Sequence, residues 1–267
     1  MRTDTLLGPL SQLLGLTQGF SCALVVWGSR LAGRYIVSDA HAEALEALLS
    51  AQGVSVVRAP FRYQHRPERR GGGLVAAGAE TDAVVYVGTH PDFATGAMHA
   101  EVLDAHRLLA RVLGFPGCCA EAWTERDELT DRAREARAAD GAGPFPALLS
   151  PALQVLLGFR LITHFPCRFD CPASQELADH RLRLLIDHIP SAAHLPRFAP
   201  GMLLHAPGLG WRLAREVRPV DADSVALHRW APRTPGREGA LLRIQPGGFV
   251  LDDVRWMGPE VYAGHFV

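Results

Sequence analysis

The stretch SDAHAEALEALLSAQGVSVVRA, residues 38–59, decides how the first part of the chain folds. Its leucines recur at the spacing of one helix face, either Ser38 or Asp39 is expected as the N-cap, and Gly53 follows as the residue that ends the helix. We therefore predict a helix from Asp39 to Gln52. The β-rich run from Val54 to Ala59 predicts a strand directly after it.

Short β-rich runs flank this helix, so residues 20–89 alternate between strand and helix patterns. Further strands are predicted at Ser21–Gly28, Arg34–Val37 and Ala83–Gly88. This alternation is typical of α/β units. We expect residues 1–90 to form an α/β sheet unit.

The connection between the strands predicted at Val54–Ala59 and Ala83–Gly88 is basic and contains three consecutive glycines. Its basic residues are Arg62, His65, Arg66, Arg69 and Arg70. Arginine forks match phosphate and carboxylate geometry, so the segment from Arg62 to Arg70 could hold an anionic substrate. Charged, glycine-rich connections are also ordinary surface features, and a solvated, mobile loop is the favoured interpretation.

The central segment, residues 91–192, has a predominantly helical pattern. One buried helix face is indicated by four residues at helical spacing: Val102, His106, Leu109 and Leu113. An apolar helix is expected at Pro146–Phe159, and a stronger one begins at Pro172 and stops at Pro190. The charged stretch 127–140 predicts a solvated helix and loop.

Residues 193–267 alternate β-rich runs with Pro/Gly turns, which predicts a small antiparallel sheet. The expected strands are Gly201–His205, Ser224–Trp230, Ala240–Gln245 and Phe249–Trp256. The whole sequence thus predicts an α+β fold packed as one compact domain: an α/β unit, a helical segment that carries the cysteines, and an antiparallel sheet.

Charge and hydropathy exclude several classes of protein. The 267 residues carry 27 basic and 28 acidic side chains, so no global field favours nucleic acid. The apolar runs are far shorter than the roughly 20 residues that cross a bilayer, and the N-terminus lacks the pattern of a cleavable signal peptide. We expect a cytoplasmic protein without a membrane segment, whose partner is a small-molecule substrate.

Four of the five cysteines form two tight pairs, Cys118 with Cys119 and Cys167 with Cys171. In a cytoplasmic chain of this size, such pairs favour a metal or redox site over a disulfide framework. Each pair lies beside proline at a predicted helix start, where backbone N–H groups stabilise a thiolate. Four converging thiolates repel one another unless a cation or cluster neutralises them. We therefore predict that these four residues bind a metal centre.

The cysteine spacing bears on the kind of centre. Structural zinc sites usually use CxxC knuckles, whereas this chain offers adjacent cysteines and a CxxxC pair, which favours an iron–sulfur cluster of the 4Fe–4S type over zinc. If only three of the four cysteines ligate, one iron stays open to substrate as a Lewis acid. We expect a cluster-dependent enzyme for lyase, sulfur-transfer or atypical radical chemistry on a small polar or anionic substrate.

Two other functions stay open for the same residues. A non-catalytic zinc or iron–sulfur protein would use the four cysteines as a structural clamp. A thiol/disulfide redox protein would pair Cys118 or Cys119 with Cys167 or Cys171. The fifth cysteine, Cys22, lies in an apolar run and is expected to be a core residue.

Polar residues beside the second pair are candidates for the chemistry. His164, three residues before Cys167, could be a further ligand, a proton donor or a hydrogen-bond donor to a thiolate, and a structural cap is an equal alternative. Arg168 could hold a substrate carboxylate or phosphate, or compensate the negative charge of the site. Ser174 is expected to satisfy a backbone N–H in the first turn of the following helix.

Two motifs carry a resemblance to a known family, GFPGCC at 114–119 and HFPCRFDCPAS at 164–174. They match the patterns Gly-aromatic-Pro-x-Cys-Cys and His-x-Pro-Cys-x-x-x-Cys-x-x-Ser of the archaeal and bacterial domain-of-unknown-function family 483. The segment from Tyr86 to Ala178 resembles this family. The resemblance implies a cysteine-based site and no particular activity.

Overall fold

The computed structural model of the chain describes residues 6–66, 71–76, 78, 81–125, 138, 145–151, 154, 160–190, 192–193, 201–206, 208–220, 224–230, 236–245, 248–257 and 261–266. The chain divides into two compact units, Met1–Thr124 and Glu125–Val267. Both units combine helices with antiparallel sheet, so the predicted α+β class is confirmed.

The first unit contains six helices and four strands within the described residues. The helices are α1 (Leu7–Leu14), α2 (Leu16–Val26), α3 (Asp39–Ser50), α4 (Pro91–Val102), α5 (His106–Val112) and α6 (Gly117–Glu125). The strands are β1 (Ala32–Val37), β2 (Ser55–Arg66), β3 (Gly71–Val75) and β4 (Asp82–Gly88). They form one antiparallel sheet in the order β1-β4-β2-β3.

Both faces of this sheet are covered by helices, which explains why β4 is apolar along almost its whole length. Ala83, Val85 and Val87 belong to a core formed with α1, α2 and α3. Val84 and Tyr86 belong to a second core, formed with α4 and α5. Because neighbours along a strand point to opposite faces, a strand that is buried on both faces has a continuous apolar sequence.

The helix predicted from the leading stretch is confirmed as α3, Asp39–Ser50. The Ser38 hydroxyl accepts a hydrogen bond from the backbone N–H of His41, and Gly53 adopts a positive φ of 72° just beyond the helix. The strands predicted around it are confirmed as β1, β2 and β4, although β2 continues as far as Arg66.

The strand predicted at Ser21–Gly28 is wrong, because most of this stretch belongs to α2. The helix is buried around most of its circumference, at Gly19, Phe20, Ser21, Cys22, Ala23, Leu24 and Val25. A helix that is apolar on all sides lacks the 3.6-residue polarity pattern, so its sequence resembles that of a buried strand.

Much of the basic connection forms a β-hairpin instead of the expected loop. β2 pairs with β3, and Arg62 lies opposite Val75 in the register. The Arg62 guanidinium donates two hydrogen bonds to the Asp39 carboxylate, at 2.6 and 2.5 Å. This ion pair holds the pKa of the Asp39 carboxyl below its usual value. Arg69 and Arg70 lie outside the described residues.

Two short helices replace the single helix face expected over residues 102–113. α4 ends at Val102 and α5 begins at His106, while Asp104 between them adopts a positive φ of 50°. A residue in the left-handed region interrupts the helical repeat, and aspartate tolerates that region better than most. As a result Val102 is 53% exposed, whereas Leu109 is buried against the sheet.

The second unit contains α7 (Pro172–His188), a 3₁₀ turn (Ala147–Leu149) and seven strands within the described residues. The strands are β5 (Gly201–Ala206), β6 (Gly210–Pro219), β7 (Ser224–Trp230), β8 (Ala240–Gln245), β9 (Gly248–Leu251), β10 (Val254–Met257) and β11 (Tyr262–Phe266). They form one antiparallel sheet in the order β10-β9-β8-β7-β6-β5-β11.

The antiparallel sheet predicted for the C-terminal segment is therefore confirmed, with more strands than expected. The stretch Phe249–Trp256 divides into β9 and β10, because Asp252 and Asp253 form a tight turn with positive φ. The sequence pattern does not predict β6 or β11. Every helix in the described part of the chain is too short or too polar to cross a membrane.

Parts of the central segment fall outside the described residues. They include most of the charged helix and loop expected at 127–140 and half of the apolar helix expected at Pro146–Phe159. The helix predicted behind the second cysteine pair is confirmed as α7, with Pro172 at its first position.

Candidate metal centre

Cys118 and Cys119 lie in the first turn of α6, directly after the end of α5. At that end Gly114 adopts a positive φ of 80°. The backbone N–H of Gly114 donates to the carbonyl of Arg111, and that of Phe115 donates to the carbonyl of Ala110, both at 3.0 Å. This pair of hydrogen bonds is the Schellman pattern of helix termination, which favours glycine at this position.

Pro116 then starts α6, since its carbonyl accepts the N–H of Ala120 at 2.8 Å. The motif GFPGCC thus folds as a helix stop, a proline and a helix start. Both cysteines occupy the first helical turn, whose backbone N–H groups have no partner within the helix. The partial positive charge of these groups favours a thiolate, so the predicted helix-start setting of the first pair is confirmed.

The second pair flanks a tight turn. The backbone N–H of Cys171 donates to the carbonyl of Arg168 at 3.0 Å. Phe169, within the turn, is fully buried and packs against Phe145 with ring centroids 5.6 Å apart. Cys171 is the N-cap residue of α7, whereas Cys167 precedes the turn. The aromatic anchor and the helix start therefore fix the backbone on which this pair lies.

The four predicted cysteines form one compact group. The Sγ atoms of Cys118, Cys119, Cys167 and Cys171 all lie within 4.8 Å of one another. Those of Cys118 and Cys119 are 3.9 Å apart. Cys119 and Cys171 are buried, Cys167 is half-buried and Cys118 is exposed. Four cysteines this close could hold a metal ion.

The chemistry of the donor set explains why a cation suits this group. Moving a thiolate out of water is costly, and like charges at these separations repel one another. Protonated thiols would avoid the repulsion but form only weak hydrogen bonds. A divalent cation offsets both effects because thiolates are its ligands. The group is therefore suited to metal binding.

His164 is close to the group in sequence, and its described bond is with a serine. Its Nε2 lies 2.9 Å from the Ser174 hydroxyl oxygen, and both side chains are buried. The described bond of the Ser174 hydroxyl is this one, and the backbone N–H bond expected for it stays a prediction. The bond joins the segment before Cys167 to the first turn of α7. The role of His164 as a ligand or proton donor stays a prediction.

Arg168 lies on the surface beside Asp170. Its Nε donates to one carboxylate oxygen at 2.9 Å, and its Nη2 donates to the other at 3.2 Å. An internal carboxylate therefore occupies the Nε/Nη2 edge of the guanidinium, which is one of the two edges that an anionic substrate could use. The substrate-binding role of Arg168 stays a prediction.

Cys22 is a core residue, as the sequence predicts. It is fully buried in α2 and belongs to the core between the helices and the four-stranded sheet. Burial raises the pKa of its thiol to about 12, although neighbouring Tyr35 and Arg30 oppose the shift. Cys22 therefore stays protonated at neutral pH, and it is not a member of the four-cysteine group.

A surface pocket of about 440 Å³ lies in the first unit beside α5. Its lining residues are Asp104, Ala105, His106, Arg107, Leu108, Arg111 and Thr124. None of the four cysteines lines this pocket, and Arg168 does not line it either. It therefore gives no support to a substrate site next to the sulfur atoms.

Three buried polar residues that the sequence does not single out bond to the segments leading into the cysteine motifs. Arg30 donates to the carbonyl of Leu113. Arg181 and Gln154 bond to the two backbone groups of Leu161. No periodicity or motif marks these side chains, because their role depends on contacts with residues distant in the sequence.

The chain matches no family model, no curated protein and no solved structure. Membership of family 483 therefore stays a prediction. Function is therefore inferred from the geometry of the four cysteines and their surroundings.

Proposed function

We propose that Cys118, Cys119, Cys167 and Cys171 bind a single zinc ion in a closed tetrahedral site with a structural role. The observation that carries this proposal is the separation of the sulfur atoms. All four lie within 4.8 Å of one another, and those of Cys118 and Cys119 are 3.9 Å apart.

These separations suit one ion better than a cluster. Four thiolates around one zinc ion at about 2.3 Å form a tetrahedron with edges of about 3.8 Å. A cubane cluster with irons about 2.7 Å apart would spread its four cysteine sulfurs to roughly 6.4 Å. The pair Cys118 and Cys119, at 3.9 Å, would have to open by about 2.5 Å to fit the cluster.

The structural role follows from the ligand count. Zinc held by four cysteines has no open position for substrate, and such sites contribute directly to folding. Here the ligands belong to the first turn of α6 and to the turn before α7, two segments far apart in the sequence. Binding one ion would cross-link them and stabilise the fold.

The iron–sulfur enzyme predicted from the cysteine spacing is the second candidate. Its support is the absence of a CxxC knuckle from the motifs and the exposure of Cys118. If Cys118 did not ligate, the other three cysteines would leave one iron accessible from solvent. His164 would then be the candidate proton donor and Arg168 the candidate substrate ligand. The family resemblance supports both candidates equally.

Metal analysis separates the two candidates. The full chain is purified anaerobically without added metal, and its zinc, iron and inorganic sulfide are measured together with its optical spectrum. The proposal expects one zinc per chain, no sulfide and no absorbance band near roughly 400 nm. A brown protein that contains iron and sulfide would overturn it in favour of the cluster.

A further inference from the structure

We propose that two buried arginines, Arg30 and Arg181, are positioning residues for the metal centre, a role that rests on the proposed zinc site. Each fixes, through one backbone carbonyl, the segment that leads into one cysteine pair.

In the first unit, Arg30 anchors the end of α5. The side chain follows α2 and is only 5% exposed. Its Nη2 donates to the carbonyl of Leu113 at 3.3 Å, and its Nη1 donates to the Ser21 hydroxyl at 2.5 Å. Leu113 is the C-cap residue of α5 and directly precedes the GFPGCC motif. Carbonyls at a helix C-terminus lack intrahelical partners and carry partial negative charge, so a guanidinium satisfies them well.

Burying the charged guanidinium of Arg30 is unfavourable by itself, because the group loses its hydration. Its described contacts are with a hydroxyl and a carbonyl, not with a carboxylate. Burial lowers the pKa of this guanidinium, because it disfavours the charged form. An apolar side chain would avoid this desolvation. An apolar side chain could form neither the bond to Ser21 nor the bond to Leu113, and only the second of these reaches the segment before the GFPGCC motif.

In the second unit, Arg181 anchors the segment before the second cysteine pair, as Arg30 does for the first pair. It projects from α7, is 1% exposed, and its Nη1 donates to the carbonyl of Leu161 at 2.8 Å. The buried Gln154 accepts the backbone N–H of Leu161 at 2.5 Å and that of Ile162 at 3.2 Å. Both backbone groups of Leu161 are therefore held by hydrogen bonds. Leu161 lies three residues before His164, where the second motif begins.

The two units thus hold their cysteine segments in the same way. In each, a buried guanidinium bonds to a backbone carbonyl shortly before the cysteine pair. Metal ligands bind more tightly when surrounding hydrogen bonds hold them in the bound arrangement, and loss of such an outer partner typically weakens metal affinity about 10- to 100-fold. Arg30 and Arg181 hold the backbone before the ligands and not the ligands themselves, so we expect a loss at the lower end of this range, about 10-fold, for each arginine.

The test uses Arg30→Met and Arg181→Met in the full chain. Zinc affinity is measured by competition with a chromophoric chelator, and the geometry of the site is followed by the optical spectrum of bound Co²⁺. Each variant is expected to bind zinc about 10-fold more weakly and to alter the Co²⁺ spectrum. Arg30→Lys and Arg181→Lys, which keep a cationic donor, are expected to recover part of the affinity and also serve if a methionine variant does not fold.

Matched controls separate positioning from general loss of stability. Leu45→Ala removes buried volume from the core of the first unit, and Leu185→Ala does so on α7, one turn beyond Arg181. Both should lower the melting temperature and leave zinc affinity unchanged. Wild-type affinity in the arginine variants, or an equal loss in the leucine variants, would overturn the positioning role while zinc binding stands. A wild-type chain that binds no zinc would overturn the proposed function itself.

Discussion

His164 Nε2 and the Ser174 hydroxyl oxygen lie 2.9 Å apart, and neither side chain exposes more than 2% of its surface. One partner precedes Cys167 and the other follows Cys171. This buried hydrogen bond therefore spans the turn that carries both cysteines of the second pair.

Ser174→Ala tests the contribution of this bond. The substitution removes the described partner of a buried imidazole nitrogen, which costs about 1–3 kcal/mol in the free energy of unfolding. We expect a lower urea midpoint with an unchanged m-value, measured by circular dichroism. The control is Ser50→Ala at the exposed end of α3, which should change stability by less than about 0.5 kcal/mol. Equal stability of Ser174→Ala and the wild type would contradict a stabilising role.

Cys118→Ser distinguishes a closed site from an open one. In a four-thiolate zinc site every cysteine ligates, so this variant should lose metal to the same degree as Cys119→Ser and Cys171→Ser. The measurement is bound metal per chain after gel filtration, with Cys22→Ala as the buried control that keeps its metal. If Cys118→Ser alone retained full metal content, three cysteines would suffice and the closed site would be wrong.

The melting temperature should depend on free zinc. An ion that binds only the folded chain stabilises it by RT ln(1 + [L]/Kd), so added zinc should raise the melting temperature and a chelator should lower it. Differential scanning fluorimetry at several buffered zinc concentrations measures the shift. In Cys171→Ser the same series should be flat. If the melting temperature of the wild type did not change with zinc concentration, the structural role of the ion would be wrong.

Alkaline pH should destabilise the first unit through Cys22. Burial raises the pKa of its thiol from its ordinary value of 9.0 to about 12, so the folded chain holds it neutral where an unfolded chain ionises it. The resulting stability is complete below about pH 9 and is lost as pH rises toward about 12.

The measurement is the free energy of unfolding in urea at a series of pH values, for the wild type and for Cys22→Ala, both loaded with zinc. The wild type should lose up to about 1.4 kcal/mol per pH unit more than the variant above pH 9. Parallel pH profiles would mean that the thiol ionises equally in both states.

The parts of the fold that the sequence predicts well are those with local signals. α3 has a capping serine, one apolar face and a following glycine, and it forms as expected. α2 has no polar face, so its apolar run resembles a strand, and the difference arises only from the tertiary packing that surrounds it.

The candidate site likewise has features that local sequence signals predict and features that they do not. Gly114, Pro116 and Pro172 are local signals for a helix end and two helix starts, and they place the cysteines correctly. The distance between the sulfur atoms depends on the folded chain, so the sequence spacing alone could not show that the four cysteines lie within 4.8 Å of one another. Arg30 and Arg181 bond to residues far away in the sequence, and no local pattern could reveal them.

X-ray absorption at the zinc edge, on the full chain purified without added metal, identifies the ion and counts the sulfur atoms bound to it. We predict one zinc per chain with four sulfur neighbours at about 2.3 Å and no second metal shell. Iron with bridging sulfide and an iron neighbour at about 2.7 Å, or a chain that retains no metal, would contradict the account.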